Sequence, residues 1–475
     1  MIKYMLARRI STWKDDECGG ITVLALFLAV TMMIVAGLGL DVMNAMRAKT
    51  QLQVAADAAA HAALSTREFK TEAEAKDIAV AIAQASMPPG NYGNAITAAD
   101  IQFGYWDAAN EVFQIAPGAD DAVLVTTQQA SSRSNALTTF FLRFIGMEGF
   151  DVRTQSVYET YYPTCLREGF VADARVDVQS NNTYLNGFCI HSNAHVEVNN
   201  NNVFQTGTIV SMPDERTLVM PTGGFNSNPG LERALRSGAY RIKILQRIDD
   251  IAAFFRDRSS SYWRDDYLDW PVKNNALSAS TNLDASVWMP GEIHEFMCNG
   301  AGGGGGGGGN GNGGGGNGNG NGKGGGGGGG GGNYSTLRIP ANTVLTNGVI
   351  YTDCLISIGA NVELRDVLIV SLNDSVTAVS GASGVVLGLD DGCSPGGGVQ
   401  IITKGGVHFP AQLNIFGGQI IAQKKIDFEA NANGIEGVSM VSGDEIDSTS
   451  NMNMGFCGGA GLENNFEAEY FRMAR

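Results

Sequence analysis

The chain has 475 residues and a formal net charge of −16, with 44% hydrophobic and only 17% charged residues. A strongly acidic chain argues against a nucleic-acid partner, because that binding needs clustered cations to displace phosphate counterions. It also argues against broad adhesion to an anionic membrane surface.

The first element in chain order is an apolar run from Ile21 to Leu40, broken only by Thr22 and Thr31 and closed by Asp41. About twenty such residues are what a helix needs to cross ~30 Å of hydrocarbon, so 21–40 is predicted to be a transmembrane helix. Lys3, Arg8, Arg9 and Lys14 precede the run, whereas the nearest cations after it are Arg47 and Lys49. That asymmetry predicts residues 1–20 on the cytoplasmic side and the bulk of the chain outside. The run is too long for a signal-peptide core, and no small-residue cleavage site follows it.

From Asp41 a helical pattern continues without Gly or Pro past Leu64. Ala45, Ala48, Leu52, Ala56, Ala59 and Ala63 fall on one stripe of small side chains, which permits close helix–helix approach. Two partners fit this stripe: the chain's own globular part, or other subunits in a pilus-like bundle. A second helix is read over 71–87, ended by Pro88–Pro89–Gly90. Strands are read at 101–106, 111–115, 122–127 and 150–158, with an apolar helix at 135–145 carrying Leu137, Phe140, Phe141 and Phe144.

The lead-in Asp15–Asp16–Glu17–Cys18–Gly19–Gly20, the closing Gly39–Leu40–Asp41, and the runs Leu52–Gln53 and Ala55–Ala56–Asp57–Ala58–Ala59–Ala60 together resemble the TadE/TadG-like proteins of the Tad (Flp) pilus assembly system. The resemblance is specific over 19–64 and continues to about residue 160. It implies a membrane-anchored pilus-assembly component whose partners are other Tad assembly or pilus subunits and the inner membrane. Residue 25, where the family's processed pilins carry Glu, is Ala here, so the resemblance favours the uncleaved, TadG-like branch. The Asp-x-Ser-x-Ser metal motif of some TadG proteins is absent; Asp447–Ser448–Thr449–Ser450 has the wrong spacing.

After Cys165 the texture becomes rich in Asn and Gly, and segments repeat. Val176–Asp177–Val178 aligns with Val196–Glu197–Val198 at an offset of twenty; Ile339–Asn342 aligns with Ile358–Asn361, and Phe409–Gln412 with Phe428–Asn431, at nineteen. Gly418 and Gly437 fall in the same nineteen-residue step. A period near twenty with short β runs and Asn/Gly corners predicts a parallel β-helix, in which each coil buries its inward face only by stacking, with a β-sandwich as the alternative. Two interruptions are read: a helical insertion over 231–255, and an almost pure Gly/Asn segment over 301–333 with the lone Lys323, taken as a disordered loop. Lys323 is followed by Gly, so this is no phosphate-binding loop.

The fold class predicted is therefore α+β: a transmembrane helix extended into a pilin-like α+β module, then a parallel β-helix (solenoid) with a helical insertion. The expected segments are 1–20 cytoplasmic, 21–40 transmembrane, 41–162 stalk module, 163–225 first β-helix part, 226–299 helical insertion, 300–333 Gly-rich loop, 334–460 second β-helix part and 461–475 C-terminal tail.

Of seven cysteines, Cys18 lies on the predicted cytoplasmic side. Cys165, Cys189, Cys298, Cys354, Cys393 and Cys457 lie outside, an even number in an oxidising compartment. The expected pairs are Cys165–Cys189, Cys298–Cys354, which would close the Gly-rich loop at its base, and Cys393–Cys457. His191, His195 and Glu197 are read as coil residues and not as zinc ligands, because residues four apart on a β coil need not converge. Asp390–Asp391 has the look of the paired carboxylates of β-helical pectin-degrading hydrolases, but His408 is followed by Phe409 and the accompanying basic motif is missing. No cofactor, metal or catalytic residue is expected. The reading is a non-enzymatic structural component of the bacterial inner membrane with its bulk in the periplasm. Cell-wall or surface polysaccharide is a further partner; a surface adhesin or a β-helical polysaccharide-binding or -hydrolysing protein is the alternative.

Overall fold

The computed structural model describes residues 20–239, 241–278, 281–298 and 336–474. The basic residues before the apolar run, Cys18, and the Gly-rich segment with Lys323 lie outside them. Contacts divide the chain into two units: residues through Tyr161 together with those from Glu469 onward, and Tyr162–Ala468.

The first unit begins with one continuous helix, α1 (Gly20–Arg67), 48 residues long. Its first part is long and apolar enough to cross a membrane. Along 21–40 nearly every side chain is exposed, whereas from Ala48 onward one stripe is buried. Thr71 caps α2 (Glu72–Ser86): its hydroxyl accepts from Glu74 N–H while the Glu74 carboxylate accepts from Thr71 N–H. Ala75, Ala79 and Ala83 of α2 meet Leu52, Ala56, Ala59 and Ala63 of α1, so alanines on both sides let the two helices approach closely.

Both helices pack on an antiparallel sheet of β1 (Ile101–Asp107), β2 (Val112–Ile115), β3 (Ala122–Gln129) and β6 (Val152–Tyr161), ordered β2-β1-β3-β6. Ile101, Phe103, Val123 and Val125 supply its buried face. The tie is also polar: Thr127 Oγ1 donates to the Leu52 carbonyl at 2.8 Å in a buried site. Residues 461–475 are not merely a tail. Tyr470–Met473 forms a fifth strand beside β6, with Tyr470 opposite Tyr161, and Phe471 and Tyr158 present ring edges to His61 of α1. The second unit is thus an insertion between two paired strands of the first.

The segment 135–145 is not the expected helix. It is a short hairpin of β4 (Leu137–Thr138) and β5 (Gly149–Phe150) around a 3₁₀ turn at Leu142–Ile145. Gly146 at φ 88° stops the turn, and Thr139 Oγ1 donates to the Met147 carbonyl at 2.5 Å, closing the loop.

Among the described residues, the second unit forms one large parallel-stranded sheet of 21 strands. Its registers follow the sequence repeat. Gly169 faces Cys189, which faces Ile209; Val176 faces Val196; Ile339 faces Ile358; Phe409 faces Phe428. Gly418 is opposite Val438 and not Gly437, because the register slips between Phe409 and Ile415. In one row of strands Gly169–Ala172, Cys189–Ser192 and Val399–Thr403 are buried along their whole length. A strand covered on both faces reads as a continuous apolar run. Its outer cover is the segment holding Ile244, Ile248, Ile251, Phe255, Tyr267 and Leu268. A second row, including Arg175–Val178 and His195–Val198, alternates half-buried with buried and shows one face to solvent.

The expected helical insertion over 231–255 is only partly helical. Leu231–Ala234 is a single turn, Leu235–Ser237 is a strand paired with Val210–Met212, and only Ile248–Phe254 is a longer helix. The 3.6-residue period is interrupted where the Leu235 backbone joins the sheet. Chain order is not pairing order: Ser439 pairs with Gly169 and Met454 with Tyr184, so the last strands of the unit lie beside its first.

Candidate functional site

The candidate site is the long apolar helix and the module it runs into. Asp41, the residue that ends the apolar run, is buried although it lies on an otherwise exposed stretch of α1. Its carboxylate accepts the backbone N–H groups of Phe140, Phe141 and Leu142 at 2.6, 2.9 and 2.8 Å. Burial alone would raise its pKa, but the three donors outweigh that and hold it below the usual value. One turn earlier, Gly37 is the seat for Phe141: a Cβ there would lie 2.4 Å from the ring. Asp41, read from the sequence only as the end of the span, and Gly37, which that reading did not single out, fix the hairpin beside the helix. The signal was an acidic side chain abutting a membrane-length apolar run.

The alanine stripe has a partner inside the chain. Ala48, Leu52, Ala56, Ala59 and Ala63 are buried and Ala45 half-buried; Leu52 and the last three alanines are in the core formed with α2 and the sheet. Those side chains are therefore occupied within the first unit, which corrects their assignment as a subunit-packing surface. The hydrophobic residues of α1 that remain exposed beyond the span are Val42, Met43, Met46 and Val54.

The cysteines pair as Cys165–Cys189, Cys298–Cys354 and Cys393–Cys457, with Cα separations of 4.8, 5.3 and 5.7 Å. Among the described residues, the two groups of potential ligand atoms close enough to share a metal ion, Cys298/Asp353/Cys354 and Cys393/Glu436/Cys457, each contain one of these disulfides. His191 is buried between Ser211 Oγ at 2.7 Å and Asn193 Oδ1 at 3.0 Å, and burial lowers its pKa, with the Asn193 contact opposing. His195 sits on the solvent-facing row beside Arg175, and Glu197 pairs with Arg175 at 3.1 Å. Asp390 is exposed, and Asp391 accepts the Ser394 N–H at 2.9 Å within its own loop. His408 pairs with Asp427 at 3.1 Å.

Asparagines bridge successive strand layers. Asn181, Asn201 and Asn451 all take φ between 61 and 64°, and their side chains join at 3.0 and 3.2 Å. Beside them an inner, fully buried set runs Asn228 to Asn202 to Asn182 to the Met452 N–H, each side-chain oxygen accepting the next backbone N–H at 2.9–3.0 Å. Where the chain enters and leaves this unit, the buried Glu168 accepts the N–H groups of Cys457 and Gly459 at 2.5 and 3.0 Å. Burial raises its pKa, with these bonds opposing.

Comparison with known families divides the chain in the same places. A model described as "Putative Flp pilus-assembly TadE/G-like" matches residues 19–81 and one described as "Putative Tad-like Flp pilus-assembly" matches 58–157. A "Domain of unknown function (DUF7867)" matches 169–302 and 330–458, passing over most of the glycine run. No curated protein and no solved structure matches the chain. The apolar helix is consistent with a single membrane anchor, and the disulfides point to an extracytoplasmic bulk. The chain belongs to the DUF7867 family, whose model spans more than half of it, and carries TadE/G-like Flp pilus-assembly domains in its N-terminal part.

Proposed function

We propose that this chain is a non-enzymatic, membrane-anchored structural component of Tad (Flp) pilus assembly. In this reading 21–40 crosses the bacterial inner membrane once, with residues 1–20 in the cytoplasm and the rest in the periplasm. The observation that carries it is the coincidence of the two pilus-assembly matches with the apolar helix and the α+β module it runs into. The charge asymmetry around the span supports the orientation.

The parallel-stranded unit is read as a β-helix. Registers that advance nineteen or twenty residues per layer, with asparagines repeating at the corners, support it. Its work is architectural: a rigid body held outside the membrane, facing other assembly subunits, the pilus or envelope polysaccharide. The exposed Val42, Met43, Met46 and Val54 of α1 replace the alanine stripe as the surface offered to neighbouring subunits.

A C-terminal affinity tag on the chain, followed by capture from detergent-solubilised membranes of its own bacterium, tests this function. Recovery of pilus secretion components is expected. Recovery of the chain alone, with pili assembled normally in a deletion strain, overturns it.

A further inference from the structure

We infer that the hairpin 137–150 is a second membrane-embedded element, a wedge whose aromatic tip sits among the acyl chains of the leaflet into which α1 emerges. This rests on the reading of 21–40 as a membrane span.

The hairpin tip is apolar and turned outward. Phe140, Phe141, Phe144 and Met147 are all exposed, Phe144 by 78%. A soluble loop of this length gains nothing from four large apolar side chains in water. The tip does not stand free of the span: Phe141, Leu142 and Phe144 line one apolar recess together with Val30, Met33, Ile34 and Leu38 of α1. Val30 precedes Asp41 by eleven residues, about 16 Å along a helix at 1.5 Å per residue. The tip therefore reaches alongside the outer half of a ~30 Å hydrocarbon layer. Its apolar surface is continuous with the lipid-facing surface of the span, and the same solvent must cover both.

Non-helical backbone at that depth needs internal hydrogen-bond partners, since lipid supplies none. Several of the tip's N–H groups have them. Asp41 takes the N–H groups of Phe140, Phe141 and Leu142; Phe144 N–H donates to Phe141 O, and Met147 N–H to Leu142 O. That supply explains why a carboxylate is buried at the membrane-proximal end of the span, and why Gly37 leaves room for the Phe141 ring. Arg143 lies 5.7 Å from the Phe144 ring, and its long side chain can return its charge to the headgroups. Lipid is favoured over a second copy of the chain because the exposed tip side chains are aromatic or Met and continuous with the span, while the two charges of the hairpin, Arg143 and Glu148, are both exposed beside it, as at a membrane interface.

The test places an environment-sensitive fluorophore at Phe144→Cys in the full chain, in a Cys18→Ala background with the three disulfides intact. The protein is reconstituted in phosphatidylcholine vesicles with and without acyl-chain spin-labelled phosphatidylcholine. Leu28→Cys on the span and Asn110→Cys on an exposed turn serve as references. The expected result is blue-shifted emission at 144, quenched about as strongly as at 28 and several-fold more than at 110. Quenching at 28 with water-like emission at 144 overturns the wedge and leaves the anchor standing. Blue-shifted emission at 144 without quenching means that protein covers the tip, and also overturns it. No quenching at 28 overturns the anchor and the wedge together.

Discussion

Replacing Asn182 by Ala probes the stacking of the second unit at one buried joint. The Asn182 amide donates to the carbonyls of Gln179 and Thr449, and its oxygen accepts the Met452 N–H, at 2.9, 3.0 and 2.9 Å. Thr449 and Met452 lie some 270 residues further along the chain, so the side chain joins two layers that only folding brings together. Alanine leaves these backbone groups without partners in a site closed to water. One orphaned buried donor costs about 1–3 kcal/mol and the two carbonyls add to it, so a loss of about 3 kcal/mol is expected. The neighbouring Asn181 is exposed at φ 64°. Asn181→Ala carries mainly the left-handed backbone cost of about 1 kcal/mol, and Asn181→Gly should be almost silent. Amide hydrogen exchange of the detergent-solubilised chain, read by mass spectrometry, should show peptides at both 179–184 and 449–455 exchanging about 100-fold faster in Asn182→Ala. A change confined to 179–184, or an effect no larger than that of Asn181→Ala, would refute the joint.

Gly37→Leu should push Phe141 off α1 at a cost of about 1–3 kcal/mol, read as faster proteolysis within 138–148. The Asp41 pKa is lowered in the fold from its value of 3.8. Its contribution is therefore complete above that value and lost as pH falls through the folded pKa; exchange at 140–142 should rise there, and Asp41→Asn should abolish the dependence. Glu168 has the opposite sign. Its pKa is raised above 4.5, so the term it contributes favours folding increasingly as pH falls toward 4.5, and thermal melts of Glu168→Gln should show a weaker gain on acidification than wild type. Replacing both Cys298 and Cys354 by Ala opens a loop closed by residues 56 apart; chain entropy puts the loss at about 4 kcal/mol, measurable as a lower thermal midpoint for the second unit.

The repeat was legible in the sequence because stacked layers demand the same residue types at the same step. Val176 and Val196, or Ile339 and Ile358, occupy equivalent inward positions, and Asn342 and Asn361 take the same left-handed corner. The long apolar helix was legible because its run of apolar residues has membrane length. Less legible was anything decided by distant pairing. The Phe-rich 135–145 carries helical spacing, yet Asp41, about a hundred residues away, captures three of its N–H groups and Thr139 closes the loop. Leu235 fits a helical stripe, yet its backbone joins the sheet opposite Val210. Nothing in the local pattern of 470–473 says that it returns to β6, because the partner that selects it lies some 310 residues earlier. The alanine stripe had two possible partners in sequence, and only the position of α2 and the sheet decides between them.

The central claim is that residues 21–40 stay attached as a single crossing and hold the disulfide-bonded body outside the cytoplasm. Alkaline phosphatase and green fluorescent protein, each fused after Arg475 of the full chain and expressed in a Gram-negative host, read that directly. The account predicts an active phosphatase and a dark fluorescent fusion, both sedimenting with the membranes. A bright fluorescent fusion with an inactive phosphatase, or a phosphatase recovered in the soluble fraction with its N-terminus near Asp41, would contradict it.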